Sequence, residues 1–158
     1  MTVEIRSGDA HDVDAIMPVM HSAFDLRFGE AWSAEQCRGV LILPGTMLAV
    51  ASQAAAVTGF ALWRFVLEEA ELLLIAVEPG QQSRGLGTCL FDHVVREAAQ
   101  KGVTRLHVEV RSDNPARSFY TGRGFAQIGP RPNYYRRDDN GPKDAITLCL
   151  DFGKVRSV

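Results

Sequence analysis

The stretch that decides the reading is Leu72–Gly87, LLLIAVEPGQQSRGLG, continued by TCLFDHVVREAA. It predicts a buried strand, a turn at Pro79-Gly80, a glycine-containing loop, and a helix with apolar residues along one side. Every position from Leu72 to Val77 is apolar, as in a strand covered on both faces, so this strand belongs in the middle of a sheet. The junction is suited to holding phosphate. The loop Ser83-Arg84-Gly85-Leu86-Gly87-Thr88 can turn several backbone N–H groups toward one point, and the following helix adds the positive end of its dipole. Gly85 and Gly87 lack a Cβ, which lets the backbone approach a ligand and reach positive φ.

Two other glycine loops are excluded by their own chemistry. A triphosphate loop needs Lys-Ser/Thr after its glycines, whereas Gly87 is followed by Thr88-Cys89. A dinucleotide fingerprint needs a third glycine, and none follows Gly87 at that spacing. What remains, Gln82-x-x-Gly85-x-Gly87 after an apolar strand, resembles the pyrophosphate loop of the GNAT superfamily of acyl-CoA N-acyltransferases. Downstream come LHVEVRSDNPARSFYTGRGF (Leu106–Phe125) and RPNYYRRDDNGPKDA (Arg131–Ala145). That order is similar to the ribosomal-protein alanine N-acetyltransferase (RimI-type) branch of the superfamily. The likeness extends back through Ala31-Trp32-Ser33 and Glu68–Val77.

The chain of 158 residues is the size of one domain, and residues 1–158 are expected to form a single N-acetyltransferase domain. A formal net charge of −2 argues against a general nucleic-acid binder, whose footprint is basic. No apolar run approaches the ~20 residues that span a bilayer, so no membrane partner is expected. The polar, acidic start MTVEIRSGDAHDVD does not read as a signal peptide. Cys37, Cys89 and Cys149 are widely spaced in apolar contexts, which fits free core thiols in a reducing cytoplasm. No paired Cys or His spacing points to zinc, and no metal is expected.

Along the chain, Val3–Arg6 reads as a strand, and Asp9 can cap a helix whose apolar face is Val13, Ile16, Met17 and Met20. Ser33 with Gln36 forms a capping box for a helix to about Val40, ended by Pro44-Gly45. Met47–Ala51 and Ala56–Phe65 read as antiparallel strands, and Glu68 and Glu69 interrupt before the central strand. Leu86, Leu90, Val94 and Ala98 stripe a helix that ends at Lys101-Gly102. Leu106–Val110 is a strand, Ala116–Gly122 a short helix, and strands follow near Ala126–Gly129 and Ala145–Asp151. The layout is α/β, a mixed sheet with helices on both sides.

The family resemblance sharpens this. It implies the GNAT fold, a mostly antiparallel sheet of about seven strands in which the central pair splays apart. The pantetheine arm of acetyl-CoA then lies in the gap, held by backbone groups of Ile75, Ala76 and Val77, with the pyrophosphate on Gln82, Ser83, Arg84, Gly85, Leu86, Gly87 and Thr88. Glu109, in the E-V-R motif, takes the position of the family's general base. Tyr120 takes that of the acid that protonates the departing thiolate, and Asn114 that of a cofactor-contacting asparagine. Two departures stand out. The family asparagine lies seven residues before the tyrosine, whereas Asn114 lies six before Tyr120, so Asp113 or Asn114 can hold that role, and Asn114 can equally cap the following turn. Leu74 also replaces the asparagine of the family's Asn-Ile-Ala-Val. Tyr134 and Tyr135, with Asp144-Ala145, match the hairpin that overlies the acceptor cleft.

Glu109 has an independent case, because strand alternation puts His107, Glu109 and Arg111 on the face opposite Leu106, Val108 and Val110. Amide formation needs a neutral amine. At pH 7 an α-amine of pKa near 8 lies ~1.4 kcal/mol from its neutral form and a lysine ~4.6 kcal/mol, so one carboxylate, acting directly or through a water, is a reasonable base for the former. His107 shares that face, but a lone strand histidine reads as a surface residue. The expected reaction is acetyl transfer from acetyl-CoA to a protein N-terminal α-amine, possible targets including a ribosomal protein. The alternatives are a small amine as acceptor, or an acyl-CoA sensor without turnover.

Overall fold

The computed structural model describes residues 2–24, 31–135 and 143–153, apart from the side chains at 82–84, 129–135 and 143–144. Strand β1 (Val3–Gly8) leads through a 3-10 turn at Ala10–Asp12 into helix α1 (Val13–Ala23). Then come α2 (Ala34–Leu41), β2 (Thr46–Gln53), β3 (Ala56–Val66), β4 (Glu69–Val77) and a 3-10 segment at Pro79–Arg84. The chain continues with α3 (Leu86–Gln100), β5 (Arg105–Arg111), α4 (Arg117–Thr121), β6 (Ala126–Tyr135) and β7 (Lys143–Asp151). The strands form one seven-stranded sheet in the order β1-β2-β3-β4-β5-β7-β6. Among the described residues only β4–β5 is parallel.

Local chemistry accounts for the element ends. Asp9 accepts from the His11 N–H and caps the 3-10 turn ahead of α1 rather than α1 itself. The Ser33–Gln36 capping box forms as expected at the start of α2. Beneath α3 the sheet carries Ala49, Ala51 and Ala61, fully buried. At Gly59 an added Cβ would stand 2.9 Å from Leu90 Cδ1, so the missing side chain is what lets α3 settle onto β3.

Each face of the sheet has its own core. Trp63, Leu72, Leu90, Val94, Leu106, Val108, Tyr120 and Leu148 pack on the α3/α4 side. Val13, Ile16, Met20, Leu48, Phe60, Leu62, Leu74 and Ala76 pack on the α1/α2 side. Strand β4 changes parity partway along. Leu62 pairs with Leu74 but Trp63 with Leu72, so Leu73 is the extra residue of a β-bulge. Before it, Ala70 and Leu72 face α3; after it, Ile75 and Val77 do, while Leu74 and Ala76 face α1/α2.

Three expectations need correction. Glu69 does not interrupt the strand but begins β4, opposite Val66. Strand β6 runs on to Tyr135, past the expected end at Gly129, because its pairing with β7 continues to Tyr135↔Lys143. Cys89 is exposed while Cys37 and Cys149 are buried; its place in α3 lies off the stripe formed by Leu86 and Leu90.

Candidate active site

The sheet opens where the family resemblance implies. Strands β4 and β5 pair at Glu69↔Arg105, Ala70↔Leu106 and Glu71↔His107, and the ladder then stops. Both strands continue, β4 to Val77 and β5 to Arg111. The result is a wedge with its apex at Glu71–His107 and its mouth beside Val77, bordered by the backbone of Ile75 and Ala76. Diverging strands present peptide groups that an amide-bearing ligand can satisfy in the manner of an added strand.

The phosphate-loop candidates lie at this mouth. Pro79–Arg84 is a 3-10 turn rather than an extended loop, and Gly85 follows with φ 77° as the N-cap of α3. That left-handed conformation favours glycine. The first intrahelical bond is Cys89 N–H to Gly85 O, so the N–H groups of Leu86, Gly87 and Thr88 lie in the turn with no intrahelical acceptor. No acidic side chain lies in that turn. Gly87 differs from Gly85: a Cβ there would meet Phe119 and Val77 at 3.8 Å, an ordinary contact. Nothing in the protein's own packing demands glycine at 87, so the bare backbone surface is available to a ligand.

Sequence reasoning missed Arg123. Its guanidinium lies 4.0 Å from the Phe119 ring centroid and donates to Thr88 Oγ1 in the first turn of α3. Its Nε is buried with no hydrogen-bond partner among the described residues. A cation held at the positive end of a helix is unfavourable until an anion joins it, which suits a pyrophosphate. The signal was the basic residue inside Tyr120-Thr-Gly-Arg-Gly-Phe125, set close to the loop by the short α4.

Glu109 and Tyr120 occupy opposite faces of the sheet, with the wedge as the passage between them. Glu109 lies on β5 just past the apex, opposite Thr147 of β7, on the face away from α3. Tyr120 is buried on the α3/α4 side, with ring centroids 5.3 Å from Phe119 and 5.4 Å from Phe125. Burial among these rings pushes its phenol pKa well above the ordinary value, which keeps it protonated at neutral pH. Asn114 Oδ1 accepts from the Ala116 N–H at 2.8 Å, so its carbonyl caps the turn into α4. Asp113 is tied instead to Arg111, whose guanidinium donates to it at 3.1 Å.

On the acceptor side, Leu74 packs among Phe60, Leu62 and the first helices, so its side chain is part of the core. Tyr134 and Tyr135 lie on β6, their side chains outside the described set, and Asp144 is likewise described only as backbone of β7. His107 is not the surface residue expected from sequence. Its side chain is 21% exposed and its Nε2 lies 2.8 Å from Glu69 Oε1. Alternation along β5 could place it on Glu109's face but could not supply the partner from β4.

A splayed parallel pair with a bare helix N-terminus at its mouth and a carboxylate and a phenol on its two sides is an arrangement suited to group transfer from a phosphate-bearing donor. The comparisons agree. A match to the acetyltransferase (GNAT) domain spans residues 18–136. The ribosomal protein bS18-alanine N-acetyltransferase of Escherichia coli is 40% identical over 100 residues, 63% of this chain and 67% of the relative. The crystal structure of the Escherichia coli ribosomal-protein-S18-alanine N-acetyltransferase superposes with TM-score 0.82 at 30% identity, over 96% of this chain and 94% of the other. A Salmonella typhimurium structure determined with acetyl-CoA shares the fold at TM-score 0.75 and 21% identity, over 96% and 95% of the two chains. The chain belongs to the GNAT acetyltransferase family, and its enzyme class is acetyl-CoA-dependent N-acetyltransferase.

Proposed function

We propose that this enzyme transfers acetyl from acetyl-CoA to the α-amine of a protein N-terminus, with Glu109 as base and Tyr120 as acid. The observation that carries the reading is the β4–β5 ladder that ends after three pairs, with Glu109 just beyond its last pair. The pantetheine arm pairs with the backbone of Ile75, Ala76 and Val77. Its pyrophosphate rests on the segment Gln82-Ser83-Arg84-Gly85-Leu86-Gly87-Thr88 with Arg123 alongside, and Asn114 supports the same arm. The amine approaches from Glu109's face and the thiol departs toward Tyr120. With its pKa raised by burial, the phenol is a weaker acid than a thiol of pKa ~8.5. Tyr120 therefore acts by donating a hydrogen bond to the developing thiolate as the C–S bond breaks.

Two features favour a peptide acceptor, overlain by Tyr134 and Tyr135, over a cationic small molecule. The Escherichia coli relatives bear the name ribosomal-protein-S18-alanine N-acetyltransferase. The carboxylates at the wedge apex are also already engaged: Glu71 with Arg64 at 3.2 Å, and Glu69 with His107. They offer little unbalanced negative charge to a polyamine. The compartment proposed is the cytoplasm, where Cys37, Cys89 and Cys149 persist as free thiols. Thiol release from acetyl-CoA, measured against a library of N-terminal peptides and a set of small amines, tests the reading. Turnover with alanine-terminated peptides is expected. Turnover confined to small amines would reassign the acceptor, and CoA binding without turnover of any amine would leave only a sensor.

A further inference from the structure

At neutral pH the amine arrives as ammonium, and this sets a proton problem that Glu109 alone does not solve. Ammonium plus thioester gives amide, thiol and one proton. The C–N bond forms, the C–S bond breaks, one N–H proton goes to sulfur and another must leave for solvent. A single carboxylate is thus asked to accept twice per turnover and must be cleared in between. We propose that His107, poised by Glu69, receives the first proton from Glu109 and passes it to water. The inference rests on the acetyl-transfer reading above.

The geometry points to this pair. His107 is the last β5 residue in the ladder with β4, so it stands at the apex of the wedge. Glu109 follows two residues later on the same face, about 7 Å along the strand, within reach of side chains or one bridging water. An ionised carboxylate only accepts, so His107 Nε2–H donates to Glu69 Oε1, and the neutral ring keeps its lone pair on Nδ1. Glu69 is held in turn by Arg105 at 3.8 Å and fixes the orientation of the ring. The charged and titratable groups around the ring are Glu69 and Glu71 on β4, Arg105 and Glu109 on β5, Cys149 directly opposite on β7, and Arg64 of β3 through Glu71. His107 is a relay and Glu69 a positioning residue; neither replaces Glu109.

The test compares H107Q, E69Q and E109Q with an alanine-terminated peptide and acetyl-CoA. For H107Q, kcat at pH 7 is expected to fall at least about tenfold with KM for acetyl-CoA unchanged. The deficit should shrink as pH rises past ~8, where the amine arrives neutral and no first proton needs clearing. E69Q should show a smaller loss with the same pH trend, and added imidazole should partly restore H107A. If the pair only clamps the apex, H107Q and E69Q lower thermal stability with a deficit that does not vary with pH, and imidazole does nothing. That outcome overturns the proposal, as does wild-type kcat in H107Q across about pH 6.5–8.5 while E109Q is impaired. Should the wild type acetylate no amine at all, the acetyl-transfer reading itself fails. Ring 15N spectra then still decide on the pair: a His107 protonation curve unmoved by both E69Q and E109Q contradicts the coupling.

Discussion

The two flanks of β4 are built from one run of residues and behave differently. Toward β3 the ladder extends from Glu69↔Val66 to Val77↔Gly59, adjusted only by the bulge at Leu73. Toward β5 it closes after Glu71↔His107. The contrast lies in what each neighbour does. β3 joins β4 by a tight antiparallel turn and shares the α3 packing through Gly59 and Leu90. β5 is parallel, reached through α3, and engaged along its far edge by β7 from Arg105 to Arg111. One flank is therefore spent on stability and the other is kept for a ligand, so mutations on the two flanks should fail in different ways.

The largest effect is expected on the open flank. Glu109→Gln should lower kcat about 10²- to 10⁴-fold with little change in melting temperature, measured by thiol release and thermal unfolding. On the closed flank the reverse is expected. Leu90→Ala empties a fully buried position and should cost about 2–5 kcal/mol in denaturant unfolding, while the molecules that stay folded keep their KM for acetyl-CoA.

At the mouth of the wedge the effects are smaller. Gly87→Ala fits the protein's own packing and should leave stability unchanged, yet raise KM for acetyl-CoA roughly tenfold, ~1.4 kcal/mol of lost binding. Arg123→Ala should raise that KM severalfold, with the difference from wild type shrinking at high salt. A stability loss in Gly87→Ala as large as its KM change would mean that the glycine serves the fold alone.

The smallest effect concerns Tyr120 at alkaline pH. Its folded pKa lies above the ordinary 10.0 because of burial. The unfolded chain therefore gives up this proton first, and the stability Tyr120 contributes is whole below pH 10 and declines as pH rises beyond it. Tyr120→Phe should flatten that decline in urea unfolding between about pH 9 and 11.

Much of this was legible in local patterns. The apolar run Leu72–Val77 and the capping pair Ser33–Gln36 each carry their own physical signature, whereas the roles proposed for Glu109 and Tyr120 rest on the family resemblance. What was not legible depends on partners brought from elsewhere. The Glu69–His107 bond joins strands 38 residues apart. Arg123 reaches Thr88 only because α4 ends beside α3. The bulge at Leu73 shows no glycine or proline, yet it reverses which side chains face α3. Leu74, which stands where the family has an asparagine, packs in the core on the α1/α2 side because of that reversal.

The most direct test follows backbone hydrogen exchange along β4 and β5. With acetyl-CoA bound, amides in Leu72–Val77 and on the facing side of β5 beyond His107 should gain protection. Adenosine 3′,5′-bisphosphate, which lacks the pantetheine arm, should protect Leu86–Thr88 alone. Equal protection of the loop by both ligands, with no change along β4 or β5 in either complex, would contradict the insertion of the thioester arm between the strands.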